Sequence, residues 1–115
     1  MRRIIIASLV AAASALPALA ADRTGFHAIT AGDYATAEQT LTAERRIFPS
    51  RPELMINLAT VYARTGRASQ AASLYREALQ ADDVEMAMPD GDVASSRTIA
   101  QRGLDRLGTV TLATR

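Results

Sequence analysis

The chain has no cysteine, no tryptophan and no lysine. Without cysteine there can be no disulfide, thiolate metal site or thiol nucleophile. A bacterial lipoprotein anchor, which needs a cysteine at its processing site, is excluded on the same ground. Aromatic residues are few, three Tyr and two Phe, and alanine is abundant, which suits closely packed helices rather than a sheet. The one histidine is His27. Nucleophilic catalysis of the Ser–His–acid kind needs a base oriented by a partner, and neither a partner carboxylate nor an activated serine is legible around it. His27 therefore reads as a surface or groove residue, and no enzymatic activity and no cofactor are expected. A formal net charge of +1 makes no electrostatic case for nucleic acid. All 13 basic residues are arginine, which reads as a trace of GC-rich coding rather than of function.

Long hydrophobic runs are also scarce. The single one, Ile4 to Leu16, is 13 residues, shorter than the ~20 that a spanning helix needs. With Arg2 and Arg3 before it and Ala18-Leu19-Ala20 after it, residues 1–20 read as a signal peptide cut between Ala20 and Ala21. The expected product is periplasmic or secreted, with no membrane insertion after cleavage; an uncleaved anchor is the alternative. Loss of Arg2 and Arg3 would leave eleven arginines against twelve acids. A chain of 115 residues allows one small domain with a limited core.

The helical signal is strongest from Pro52 to Asp82. Leu54, Met55, Leu58, Val61 and Tyr62 share one helical face, and Ala71, Leu74, Tyr75, Ala78 and Leu79 share another. Gly66, in Thr65-Gly66-Arg67, stands where the first helix must stop and reverse. Upstream, residues 22–31 predict a short helix begun by Asp22 or Thr24, with Phe26 and Ile29 inward. Residues 33–48 predict another, with Tyr34, Ala37, Leu41 and Phe48 inward and Pro49 ending it. Ser50 and Glu53 form a capping-box pattern at the start of the third helix, with Pro52 in its first turn. Shifting the chain by 34 residues superposes Gly32 on Gly66, Tyr34 on Ala68, Ala37 on Ala71 and Leu41 on Tyr75, a helix–turn–helix period.

On these residues the chain resembles the tetratricopeptide repeat (TPR) family, as a small exported bacterial member. In the second unit Leu58, Ala59, Tyr62, Gly66, Ala71, Tyr75 and Ala78 stand at the family's packing and turn positions. The first unit matches through Gly32-Asp33-Tyr34, Ala37, Leu41 and Pro49, and departs at Glu44, where the family prefers a small residue. The resemblance implies an all-α fold of two TPR-like helix–turn–helix units over residues 21–83. A third unit in phase is forbidden by Pro89, Gly91 and Asp92. Residues 84–94 instead predict a turn, as a small β-hairpin or an irregular loop, with the hairpin favoured. Ser95 or Ser96 then opens a capping helix over 95–107, with Ala100, Leu104 and Leu107 on one face, covering the exposed side of the second unit. Residues 108–115 read as a flexible tail.

Other clusters have ordinary readings. Asp82, Asp83, Glu85, Asp90 and Asp92 lack the ligand spacing of a calcium loop and read as solvated turn acids. Met86 and Met88 suit Cu(I) by chemistry, but two thioethers without further ligands read better as a hairpin face packed on the core. Arg45-Arg46 reads as a solvated helix end. The family's carboxylate clamp is not supported, because Asp22 and Phe26 occupy its points in the first unit. What the resemblance implies is a groove lined by Glu53, Ile56, Asn57, Thr60 and Arg64. Arg64 would meet an acidic group on a ligand or pair with Glu53. The expected function is an exported protein-interaction module that binds a protein or peptide partner without catalysis. The alternatives are a self-assembling envelope component, a homo-oligomer completing the short array, and a small-ligand-binding protein. An enzyme accessory or hydrolase lacks the convergent polar groups that it would need.

Overall fold

The computed structural model describes residues 22–88 and 90–113. The expected signal peptide, residues 1–20, lies outside them. The described chain forms five helices and one two-stranded antiparallel sheet: α1 (Phe26–Thr30), α2 (Tyr34–Ile47), α3 (Pro52–Arg64), α4 (Ala68–Gln80), β1 (Glu85–Ala87), β2 (Val93–Ser95) and α5 (Ser96–Ala113).

The 34-residue period is visible in the backbone. α1 and α3 end at Thr30 and Arg64, and α2 and α4 begin at Tyr34 and Ala68. Gly32 and Gly66 take φ of 78° and 79°, the left-handed conformation that glycine adopts without steric cost. A Cβ on either would meet nothing within 4 Å, so the backbone angle alone asks for glycine there. Ala37 and Ala71 are both fully buried, as are Leu41 and Ala78, while Tyr75 is nearly so. Small side chains at these points let the helices approach closely.

α3 is the centre of the molecule. It packs against α2 and α4 along its length and also meets α1 and α5. Seven of its residues are buried: Pro52, Leu54, Met55, Ile56, Leu58, Ala59 and Val61. Burial of a large apolar side chain contributes about 1.5–3 kcal/mol, so this helix carries the largest share of the core. Tyr34 and Phe48 of the first hairpin and Ile99, Leu104 and Leu107 of α5 pack around it as half-buried neighbours.

Several local expectations are revised. The Ser50 capping box does not form: Arg51 is the N-cap of α3, extended at φ −78° and ψ 116°, and makes no side-chain cap bond. Pro52 explains this, because it disfavours helical conformation in the residue before it and so leaves Ser50 one position too early. α1 is confined to five residues, opened by Gly25, with the Asp22 carboxylate accepting the His27 N–H at 2.9 Å. Its buried residue is Ala28; Ile29 packs on the core, but Phe26 does not. Arg45 is not merely solvated, since it donates to Glu77 of α4 at 2.9 Å.

The hairpin forms in register Glu85↔Ser95, Met86↔Ala94 and Ala87↔Val93, so its second strand runs one residue past 94. The capping helix then continues to Ala113, beyond Leu107 and into the stretch 108–115 expected to be a flexible tail. Glycine inside a helix costs only about 1 kcal/mol relative to alanine, too little for Gly108 to stop it. The Thr109 hydroxyl, bonding back to Asp105 O at 3.0 Å, helps to satisfy that turn.

The join between hairpin and capping helix is built from three side chains. Ser95 Oγ caps α5 by accepting the Thr98 N–H at 3.1 Å. Ser96, fully buried, donates its hydroxyl to Asp83 Oδ1 at 3.1 Å and accepts the Val84 N–H at 2.9 Å. Asp83 also accepts the Arg97 backbone N–H at 3.2 Å. That bond first, and the Ser96 hydroxyl after it, hold its carboxyl below the ordinary aspartate range.

Candidate functional site

Between α1, α3, the hairpin and α5 lies a cavity of about 170 Å³. α3 supplies Ile56, Asn57, Thr60 and Arg64, which are spaced three to four apart and so share a face. Met86 of β1 and Met88 just beyond it form one wall, and Phe26 and Ile29 of α1 form another. α5 closes the far side with Ile99, Arg102, Gly103 and Arg106. Four of the five residues expected to line a groove therefore meet in one cavity. Glu53 does not reach it and borders an adjoining pocket with Thr24, His27, Asn57 and Glu85, because α3 begins three turns away from Arg64.

Their individual roles differ. Ile56 is only 2% exposed and forms the floor rather than a contact surface. Asn57 is committed within the fold: its amide donates to Thr24 O at 2.8 Å, tying the segment before α1 to α3. The Thr60 hydroxyl donates back to Ile56 O at 3.0 Å and lies 3.4 Å from the Tyr75 hydroxyl. Among the described residues Arg64 pairs with neither Glu53 nor any other acid. Its guanidinium donates to the Tyr34 hydroxyl at 3.1 Å, which leaves its charge uncompensated at the cavity rim.

Gly103 decides how closely α5 can approach. A Cβ there would lie 2.4–2.6 Å from ring atoms of Tyr75, so the Tyr75 ring rests on bare helix backbone. Arg102 and Arg106, Met88 and Phe26 were not anticipated as lining residues. Arg102 and Arg106 are legible afterwards as one side of α5, four residues apart. Phe26 and the methionines depend on the chain folding back, which no local pattern encodes.

Residues 28–88, over half of the chain, match the tetratricopeptide repeat family. The chain belongs to that family. No curated protein and no solved structure matches it. TPR units generally mediate binding of protein partners, and the match suggests a protein–protein interaction module. The cavity lies on the face formed by the first helices of the two TPR units, with α5 where a third unit would begin. Among the described residues no group of three or more His, Cys, Asp or Glu could hold a metal ion. No described helix is long and apolar enough to cross a membrane.

Proposed function

We propose that this TPR protein is exported and acts as a non-catalytic adaptor that holds a peptide segment of a partner protein in the groove along α3. The cavity carries this reading: an apolar floor with a charged rim is a surface for recognition, and its polar groups are spent on the fold or on the rim rather than converging on one reacting atom. Export is supported by the charged start, short apolar run and small-residue site of residues 1–20. Capping of α3 and α4 by α5 favours a foreign ligand over a second copy, because the side where another unit would stack is already covered.

One experiment tests both parts. A photo-reactive phenylalanine analogue is placed at Met88, in the groove, or at Gln39, exposed on α2 outside it. After irradiation in the producing cells, the cross-linked product is recovered from the envelope and medium and its N-terminus is sequenced. The expected result is a discrete heteromeric product from Met88 alone, with this chain starting at Ala21. Cross-links from Gln39 but not Met88 would overturn the groove; products joined only to a second copy would favour self-assembly; a chain starting at Met1 would overturn export with cleavage.

A further inference from the structure

Charge is divided between the two ends of this groove. Near the C-terminus of α3 the cavity is bordered by Arg64, Arg102 and Arg106, and no aspartate or glutamate lines it. Arg102 and Arg106 are exposed and have no ion-pair or hydrogen-bond partner among the described residues. Their i,i+4 spacing sets both guanidinium groups over one stripe of α5. Asp105, the acid between them in sequence, instead accepts from Gln101 at 3.1 Å and does not line the cavity. Near the N-terminus of α3 the adjoining pocket carries Glu53 and Glu85.

Between these ends the lining is mainly apolar, from Phe26, Ile29, Ile56, Met86 and Ile99, and the Asn57 amide and Thr60 hydroxyl are spent on the fold. An apolar cavity of roughly 150 Å³ accommodates a benzene ring, so about 170 Å³ takes one large side chain and no more. Three like charges at one rim, with no acid paired to them among the described residues, attract negative charge and exclude positive. Glu53 and Glu85 at the opposite end disfavour a uniform polyanion laid along the groove.

We infer that the groove selects an acidic peptide: an extended segment with one large apolar anchor seated among Ile56, Met86 and Ile99, and acidic side chains beside that anchor over Arg64, Arg102 and Arg106. The inference rests on the groove reading above and adds the chemistry of its partner. Two of the three selecting residues come from the capping helix, so selectivity here depends on α5 and not on the repeat pair alone.

The test uses the full exported chain and dye-labelled, end-blocked peptides that share one phenylalanine, followed by Asp-Glu-Asp, Asn-Gln-Asn or Lys-Lys-Lys. Binding is read by fluorescence anisotropy at low and high salt. The acidic peptide is expected to bind on the order of tenfold more tightly than the neutral one, a modest factor because exposed ion pairs are individually weak. High salt should shrink that preference. Arg102→Gln combined with Arg106→Gln should cut that preference sharply, with Arg64 left as the one remaining charge, while leaving the thermal melt unchanged. Equal binding of the acidic and neutral peptides would overturn acidic selection and leave the groove reading standing. Preference for the lysine peptide, or no binding of the acidic peptide at millimolar concentration, would also overturn the selection. Binding to phosphatidylglycerol vesicles without binding to the acidic peptide would overturn it in favour of a lipid surface. If the Met88 cross-link fails as well, the groove reading falls with it.

Discussion

The two TPR units share a turn and a period but not a burden. In the second, α3 buries seven residues and α4 buries Ala71, Leu74, Tyr75 and Ala78. In the first, α2 buries Ala37 and Leu41 and the five-residue α1 buries Ala28 alone. Isolated helices this short are marginal in water, and α1 is held by tethers: Asp22 at its N-terminus and Asn57 reaching across from α3. The difference follows from position. α3 has packed neighbours on both sides, whereas α1 lies at the edge of the array, so one repeat pattern yields a core helix in one place and a short docked turn in the other. Local stability in such arrays is set by neighbours as well as by a unit's own sequence.

The sharpest way to break this asymmetry is to cut one large side chain from each unit. Leu58→Ala, at a position 4% exposed, is expected to cost about 2–5 kcal/mol. Ile29→Ala, in half-buried α1, should cost ~1 kcal/mol, in proportion to the smaller area removed. Urea unfolding of both variants checks the difference; equal costs would mean that α1 is as much a part of the core as α3.

A smaller effect separates the two glycines of α5. Gly103→Ala drives a methyl into the Tyr75 ring and should destabilise by about 1–3 kcal/mol, as overpacking does. Gly108→Ala meets nothing within 4 Å and should stabilise by up to about 1 kcal/mol through helix propensity. Thermal melts of the two variants should therefore move in opposite directions. A Gly103→Ala variant as stable as the parent or more so would show that α5 does not rest on Tyr75.

The smallest expected effect concerns the tie between the units. Arg67, in the turn of the second unit, grips Glu38 of α2 through two hydrogen bonds, at 2.6 and 3.1 Å, and lies over the Tyr62 ring. The hydrogen bonds from Arg67 first, and its charge as well, hold the Glu38 carboxyl below the ordinary glutamate range. A carboxylate with a lowered folded-state pKa contributes stability that is complete above its unfolded value. That contribution fades as pH falls through the lowered folded value. Glu38→Gln should accordingly reduce stability slightly at neutral pH and flatten the acid limb of a stability–pH profile, with the two proteins converging at low pH. Parallel profiles would mean that the pair is too exposed to matter, as many surface ion pairs are.

Much of this architecture was legible in single residues. The phase of Gly32 with Gly66 located both turns, and the apolar stripes of α3 and α4 named most of the residues those two helices bury, though not Ile56, because helical periodicity is a local property. Ile56, Asn57, Thr60 and Arg64 could be assigned to one face for the same reason. Their roles could not: whether Asn57 faces a ligand or Thr24 O, and whether Arg64 meets Glu53 or Tyr34, depends on which segment arrives from elsewhere in the chain. The Ser50 capping pattern misled because Pro52 sets Arg51 extended, a conflict between two local rules that only the backbone resolves.

By itself, then, the sequence determined the helical class, the 34-residue period, the reversal at each glycine and the inward faces, all consequences of spacing along one helix or one turn. Tertiary structure alone decided that the hairpin folds back so that Met86 and Met88 wall the groove. It also decided that α5 comes close enough over Gly103 to bring Arg102 and Arg106 to the rim beside Arg64. The physical reason is that these contacts join residues tens of positions apart, and their geometry depends on how several packed surfaces fit together at once.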